Sequence, residues 1–414
     1  LFWLITVIAP FQIWGASHRN IEQAILKYLR DVFESVGLKN NDKYPNLIRE
    51  YVTDSGSRKL QLFSDGIVVE QYVEKLSMLE NKLGVKIESI KQHPQLAKVI
   101  EIELADGEMP MAFNLDNIFG YKDFTFPVGK TRSEVVVGDL KKVPHYLFAG
   151  MTGKGKSTFI KTMISVLLAN NKNLEVRFID LKGTEATEFD GHSKVVVATE
   201  LKTACKEITA IDQLILDRRN SFLEAEVKDI EAFNQKAIKP DSKVLPLNRV
   251  VVVVDEIAQI TPTLATEEHA LVKDANLILN RIARMGRSFG IHLIVGVQKP
   301  DTKNLDSTIK SNLEGILCFQ VANRTQSQVV LDSNKASHLN SIPGRAIWQV
   351  GGEDRVVQAP YLTRKQIEFL NQKEKNDRSR KSEKPTDQAV GRERSPEANQ
   401  TYSEEGTAFS KTNQ

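Results

Sequence analysis

Apolar residues recur at helical spacing from Ile21 to Val36: Ile21, Ala24, Ile25, Tyr28, Leu29, Val32, Phe33 and Val36 share one face, and Gly37 follows as a stop. The pattern predicts an amphipathic helix. Between Tyr44 and Ile118, a helical stretch containing Val69–Leu83 precedes Val85–Ile90 and Ala97–Leu104, where apolar and polar positions alternate as in half-buried strands. These elements predict a small α+β domain over residues 17–125. From residue 126 the pattern changes to short apolar runs separated by helical stretches: Tyr146–Ala149, Val176–Ile179, Lys194–Val197, Val250–Val254, Ile291–Val297 and Gly315–Val321. A run such as Val250–Val254 has no polar face, which predicts a strand covered by helices on both sides. Residues 126–370 are therefore expected to be an α/β domain on a mainly parallel sheet.

The two ends break from this pattern. Residues 1–16 carry no charge. As a helix they rise only about 24 Å, against roughly 30 Å for a hydrocarbon core. Trp3 and Trp14 suit interfacial positions, however, and His18-Arg19 follow directly. The segment reads as the end of a transmembrane helix, with a buried helix or a signal-type segment as alternatives. The chain starts at Leu, so further membrane helices are expected upstream, with the rest of the chain on the cytoplasmic side of a bacterial cell membrane. Residues 371–414 are polar, aperiodic and poor in apolar side chains, which predicts a disordered tail, either merely solvated or partner-binding.

At 414 residues the chain can hold two or three domains with full cores. Its net charge of +3 is too small to imply nucleic acid, so any DNA-binding surface has to be local. Cys205 and Cys318 have neither a CxxC partner nor metal-ligand spacing and read as core residues, compatible with a reducing compartment.

The chemistry is concentrated in three places. Gly150-Met151-Thr152-Gly153-Lys154-Gly155-Lys156-Ser157 follows the strand Leu147–Ala149 and opens a helix that runs through Leu168. Glycines let backbone N–H groups curl round a phosphate, and the helix N-terminus favours the anion. Residues from Gly150 to Thr158 are thus assigned to ATP, with Lys156 on the β- and γ-phosphates and the Ser157 hydroxyl on Mg²⁺. A hundred residues on, Val250–Val254 ends in Asp255-Glu256. Asp255 is expected to assist Mg²⁺ through its water shell, and Glu256 to orient and deprotonate the attacking water, although such an acid pair could simply cap the next helix. Together the motifs predict a RecA-like P-loop ATPase core that hydrolyses its nucleotide. Gln298 ends the run Ile291–Val297, where a neighbouring strand could bridge the acids and the γ-phosphate.

These residues resemble the FtsK/SpoIIIE family of DNA translocases over about Phe126 to Leu362. The matches include Pro144-His145, Asp180-Leu-Lys182, Asp217-Arg218-Arg219, Phe233-Asn234, Asp255-Glu256-Ile-Ala258, Gly290-Ile-His292, Gln298-Lys-Pro300, Ile309-Lys310-Ser-Asn312 and Val330-Leu-Asp332. The resemblance implies a homo-hexameric ring that pumps DNA, with Gln298 as sensor and an arginine finger donated by the neighbouring subunit. Where the family has an arginine before its Thr-Ile-Leu-Asp motif this chain has Gln328, so Arg324 becomes the first candidate finger and Arg287 the second. Lys299, Lys303 and Lys310 are candidates for phosphate contacts in the pore, or are ordinary solvated lysines. With one motor and only a polar tail after it, the chain looks most similar to the coupling proteins of Gram-positive conjugative plasmids and integrative elements, whose expected partners are a relaxase and transfer-channel proteins. The alternatives are a type VII-like protein secretion ATPase, a chromosome-segregation translocase, and a non-hydrolysing membrane scaffold, against which Lys156, Asp255 and Glu256 speak.

Overall fold

A computed structural model describes residues 18–53, 58–105, 107–239, 242, 244–260, 268–302 and 304–371. The expected membrane segment, and the expected polar tail apart from its first residue, Asn371, lie outside these residues. Among the described residues, no helix is long and apolar enough to cross a membrane.

The N-terminal domain begins with α1 (His18–Ser35), which buries Ile25, Leu29, Val32 and Phe33, and Gly37 ends it in the left-handed conformation at φ +68°. Then come β1 (Asn46–Val52), β2 (Arg58–Phe63), α2 (Val69–Glu74), α3 (Leu76–Leu83), β3 (Ile87–Gln92) and β4 (Val99–Leu104). The strands form an antiparallel sheet in the order β1-β2-β4-β3. Leu60, Leu62, Ile100 and Ile102 pack with Leu29, Phe33, Tyr72 and Leu79 of the helices. Two details differ from the sequence pattern. The stretch Val69–Leu83 is two helices, broken at Lys75 (φ −96°, ψ 3°). Strands β1 and β2 carry no clean alternation because they place polar groups in the sheet's own network: Arg49 Nε donates to Gln61 (2.6 Å), and Gln61 Nε2 and Tyr51 OH donate to Glu101 (2.5 and 2.9 Å).

A linker joins this domain to the second. It contains β5 (Phe113–Asn114), and its Leu115 and Ile118 already belong to the α/β core. The second domain continues through β6 (Thr125–Lys130), β7 (Val135–Asp139), β8 (Tyr146–Ala149), α4 (Lys156–Asn170), β9 (Leu174–Ile179), β10 (Val195–Ala198), α5 (Leu201–Glu224), α6 (Ile230–Ala237) and β11 (Arg249–Val254). It ends with α7 (His269–Met285), β12 (Ile291–Val297), α8 (Ser307–Lys310), β13 (Gly315–Phe319), α9 (Arg324–Leu331), β14 (Arg345–Val350), β15 (Glu353–Gln358) and β16 (Pro360–Tyr361).

Ten of these strands form one sheet in the order β10-β9-β11-β12-β8-β13-β14-β15-β6-β7. The six from β10 to β13 are parallel and the rest antiparallel, so the sheet is mixed rather than mainly parallel. For the pair β14 and β15 the cause is loop length. Strands β14 and β15 are joined only by Gly351-Gly352, both at positive φ, and a two-residue turn can return the chain only antiparallel. In the parallel half, side chains alternate between two cores. Val250, Val252 and Val254 face α5 and α7, while Val251 and Val253 face α4, whose Phe159, Met163 and Ile164 pack among Phe148, Phe178 and Phe319. Both faces are covered, which is why these strands read as unbroken apolar runs.

Candidate nucleotide site

Strand β8 delivers the chain to the glycine-rich loop, and the loop is fixed from three sides. The Gly150 N–H donates to Val297 (3.1 Å), the Met151 N–H to Gln320 (3.0 Å), and the Lys154 carbonyl accepts from the Gly344 N–H (2.9 Å). Gly155 sits at φ +112°, and a Cβ there would meet the Gly344 backbone at 3.1 Å, so both conformation and space require glycine. Helix α4 then begins at Lys156, and its first N–H groups have no intrahelical partner.

The topology brings the two acids to this loop. Strand β12 lies between β8 and β11, so the ends of all three strands meet. Lys156, 3% exposed, donates to Asp255 Oδ1 (2.7 Å) and to the Asp255 carbonyl (2.5 Å). An ammonium has three N–H groups, so one remains for a phosphate. The Ser157 hydroxyl donates to Asp255 Oδ1 (3.3 Å), while Asp255 Oδ2 is buried without a hydrogen-bond partner. An orphaned carboxylate oxygen beside a hydroxyl fits a hydrated Mg²⁺, with Ser157 and Asp255 as the groups that would hold it. Glu256 accepts the Gln298 N–H at 3.0 Å, and burial raises its pKa above the ordinary carboxylate value despite Lys156 nearby. The Gln298 side chain accepts from the Thr152 hydroxyl at 3.5 Å. Lys156, Ser157, Asp255, Glu256 and Gln298 are thus brought to one place.

Two features were not anticipated. Gly296 of β12 is one: a Cβ there would lie 2.0 Å from the Asp255 carbonyl oxygen and 2.9 Å from Lys156 Nζ. Its only sequence signal is a glycine inside an apolar run. The other is part of the wall of a cavity of about 580 Å³ at the loop, which Met111, Pro343, Gly344, Gln358 and Tyr361 line together with loop residues and Thr158. No motif marks these residues.

The FtsK/SpoIIIE family model matches residues 120–302. The matched segment contains both the glycine-rich loop and the Asp255-Glu256 pair. The DNA translocase FtsK of Lactiplantibacillus plantarum is 34% identical over 260 residues, covering 60% of this chain and 31% of that protein. The FtsK of Oceanobacillus iheyensis is 27% identical over 364 residues, 84% of this chain and 45% of its own length. The chain therefore spans less than half of these relatives. Among solved structures, the pCW3 conjugation coupling protein TcpA, as a monomer with ATPγS, matches with a TM-score of 0.61 at 27% identity, covering 85% of this chain and 99% of that one. EssC of Geobacillus thermodenitrificans shares the fold, with a TM-score of 0.55 at 16% identity over 67% of this chain and 53% of its own.

Several of the residues that carry the resemblance to the FtsK/SpoIIIE family are architectural here. Arg218 is buried and donates to the Phe289 and Asn248 carbonyls, and Asn234 clasps Leu247 through both its amide groups (3.0 and 2.8 Å). Both fasten the start of β11. Asp180 Oδ2 accepts the N–H groups of Glu185 and Ala186 (2.6 and 3.0 Å), shaping the turn after β9, and Lys182 is exposed there. His145 Nδ1 accepts the Leu293 N–H (3.0 Å), whereas His292 Nδ1 donates to the Pro144 carbonyl (3.2 Å) and its Nε2 accepts from Arg249 (3.0 Å). Both rings are thereby neutral. Burial, with Arg287 nearby, pushes the His145 pKa down to about 4, and burial with Arg249 holds His292 well below its ordinary value.

The remaining candidates are spread out. Arg324 is exposed at the start of α9, beyond the end of β13 and on the same sheet edge as the glycine-rich loop, as is Gln328 one turn on. Arg287 is exposed too, but before β12, at the opposite edge. Lys299 is exposed. Lys310 is not a free lysine: both oxygens of Asp332 engage it at 2.9 and 3.0 Å, tying α8 to the end of α9. Lys303 lies outside the described residues.

Proposed function

We propose that this chain is the motor of a membrane-anchored, ATP-driven DNA translocase, and specifically the coupling protein that feeds DNA to a conjugative transfer channel in a bacterial membrane. The observation that carries the reading is the likeness to a conjugation coupling protein over 99% of that chain at 27% identity, with ATPγS bound in the relative. In this reading the loop N–H groups and the free Lys156 donor hold the triphosphate, and Ser157 with Asp255 would hold Mg²⁺, which when bound would supply neutralisation of phosphate charge. Glu256, oriented by the Gln298 N–H and raised in pKa, takes the proton of the attacking water, and Gln298 links that event to Thr152 in the loop. Arg324 reaches the γ-phosphate of the next subunit in a homo-hexameric ring, and Lys299 grips the DNA backbone. A relaxase and channel proteins are the remaining partners.

The test is ATP turnover by the purified soluble part with single-stranded DNA, double-stranded DNA and unfolded polypeptide. DNA is expected to raise the rate. A rise with polypeptide alone would replace this reading with protein export.

A further inference from the structure

We propose that Met111 and Ala112, in the linker leaving the N-terminal domain, form the base-side wall of the nucleotide pocket, so that adenine stacks between Met111 and Tyr361 and the linker reports nucleotide occupancy to that domain. This rests on the assignment of the loop to ATP. The γ-phosphate end of the cavity is fixed by Lys156 and Gln298. The other end lies where α4 carries Thr158 and, one turn on, Thr162, whose hydroxyl oxygen accepts the Leu362 N–H (3.0 Å). That contact draws Pro360–Tyr361 along the helix, and β16 in turn pairs with β5, which continues directly from Met111–Ala112. The surface offered by the linker and the strand segments is Met111, Ala112, Pro343, Ala359, Pro360 and Tyr361, apolar and aromatic, and the one carboxylate lining the cavity, Glu185, is paired with Lys161 of α4 (3.5 Å); such a lining suits the faces of a purine and not a phosphate. Met111 is 69% exposed, an apolar side chain at a pocket mouth with little covering it.

The linker is also tied to the phosphate loop by a continuous chain of hydrogen bonds. Arg345 Nη2 donates to the Pro110 carbonyl (2.7 Å) and its Nε to Gln358 Oε1 (3.0 Å). Gln358 Nε2 donates to the Pro343 carbonyl (2.7 Å), and the next residue, Gly344, donates its N–H to Lys154 of the loop (2.9 Å). Arg345 and Gln358 are both buried, so the path is shielded from water. At its other end the linker continues from β4 of the N-terminal sheet.

The experiment uses the whole chain and two probes, ATPγS and inorganic tripolyphosphate. Wild type is expected to bind both, and ATPγS is expected to slow backbone hydrogen exchange over residues 107–116 by more than tripolyphosphate does, since tripolyphosphate acts on the linker only through the loop. Met111→Asp should weaken ATPγS by roughly tenfold or more while tripolyphosphate binds as before, and Met111→Ala should do so more mildly. Lys156→Ala should lose both probes. Unchanged ATPγS affinity in Met111→Asp, or linker exchange indifferent to ATPγS, overturns the inference and leaves the ATP assignment standing. Wild type that binds neither probe overturns both.

Discussion

Lys156 sits in a cavity made by an absence. Strand β12 carries Gly296 beside it, and even a methyl group there would displace either the Asp255 carbonyl or the ammonium. Gly296→Ala is therefore expected to cost about 1–3 kcal/mol of stability and to weaken ATPγS binding, as calorimetry would register. Wild-type affinity in that variant would mean that the loop tolerates a shifted lysine. Glu256 makes a separable prediction. Glu256→Gln keeps the Gln298 N–H contact but cannot take a proton, so turnover should fall by about 10²–10⁴ while ATP stays bound, measured by single-turnover chemistry and filter binding. Its raised pKa adds a sign. An acid whose pKa rises on folding is stabilising when protonated and costs stability once ionised, so the cost appears as pH climbs from 4.5, the unfolded value, through the higher folded one. Glu256→Gln should therefore gain thermal stability over wild type at neutral pH, and the gain should vanish near pH 4.

Strand β12 is the element that assembles the site, because it lies between the strands ending in the loop and in the acids. At its start the chemistry is of the opposite kind: His292 of β12 and His145, which directly precedes β8 and accepts the Leu293 N–H, are both buried and neutral. Their pKa values are depressed, so the stability they permit is complete above about pH 6.5 and is lost as pH falls toward 4, where the unfolded chain takes up protons the folded one refuses. Melting temperature should fall on acidification from pH 7 to 5. In His145→Gln, whose amide oxygen can still accept the Leu293 N–H, that slope should shrink by about one proton; an identical slope would show that His145 titrates normally. Neither histidine touches the nucleotide site, which explains how Pro144-His145 and Gly290-Ile-His292 can be family signatures without catalytic roles. Likewise the tie from Lys310 to Asp332 makes the Lys-Ser-Asn and Leu-Asp signatures a brace between two helices.

For the molecule as a whole, the proposed ring places Arg324 in the site of its neighbour. Lys156→Ala and Arg324→Ala proteins, each inactive alone, should then recover part of the wild-type turnover when mixed, because a Lys156→Ala subunit can lend its arginine to an intact loop. If only the mixture of Lys156→Ala with Arg287→Ala recovers activity, the finger lies at the other edge of the sheet. Local order along the chain already announced the α/β domain, the loop Gly150–Ser157 and the acids Asp255-Glu256, because a phosphate loop and a two-sided buried strand are written in contiguous residues. Long-range pairing supplied the rest. The antiparallel pairing of β14 with β15 depends on a two-glycine turn, the room for Lys156 depends on Gly296 meeting a strand forty residues earlier, and the cavity wall joins Met111 to Tyr361 across the whole α/β domain. Such contacts come from packing surfaces that no periodicity encodes, so the identity of the phosphate site could be read from the chain, while its base-side wall and the roles of its histidines, arginines and lysines had to await the folded protein.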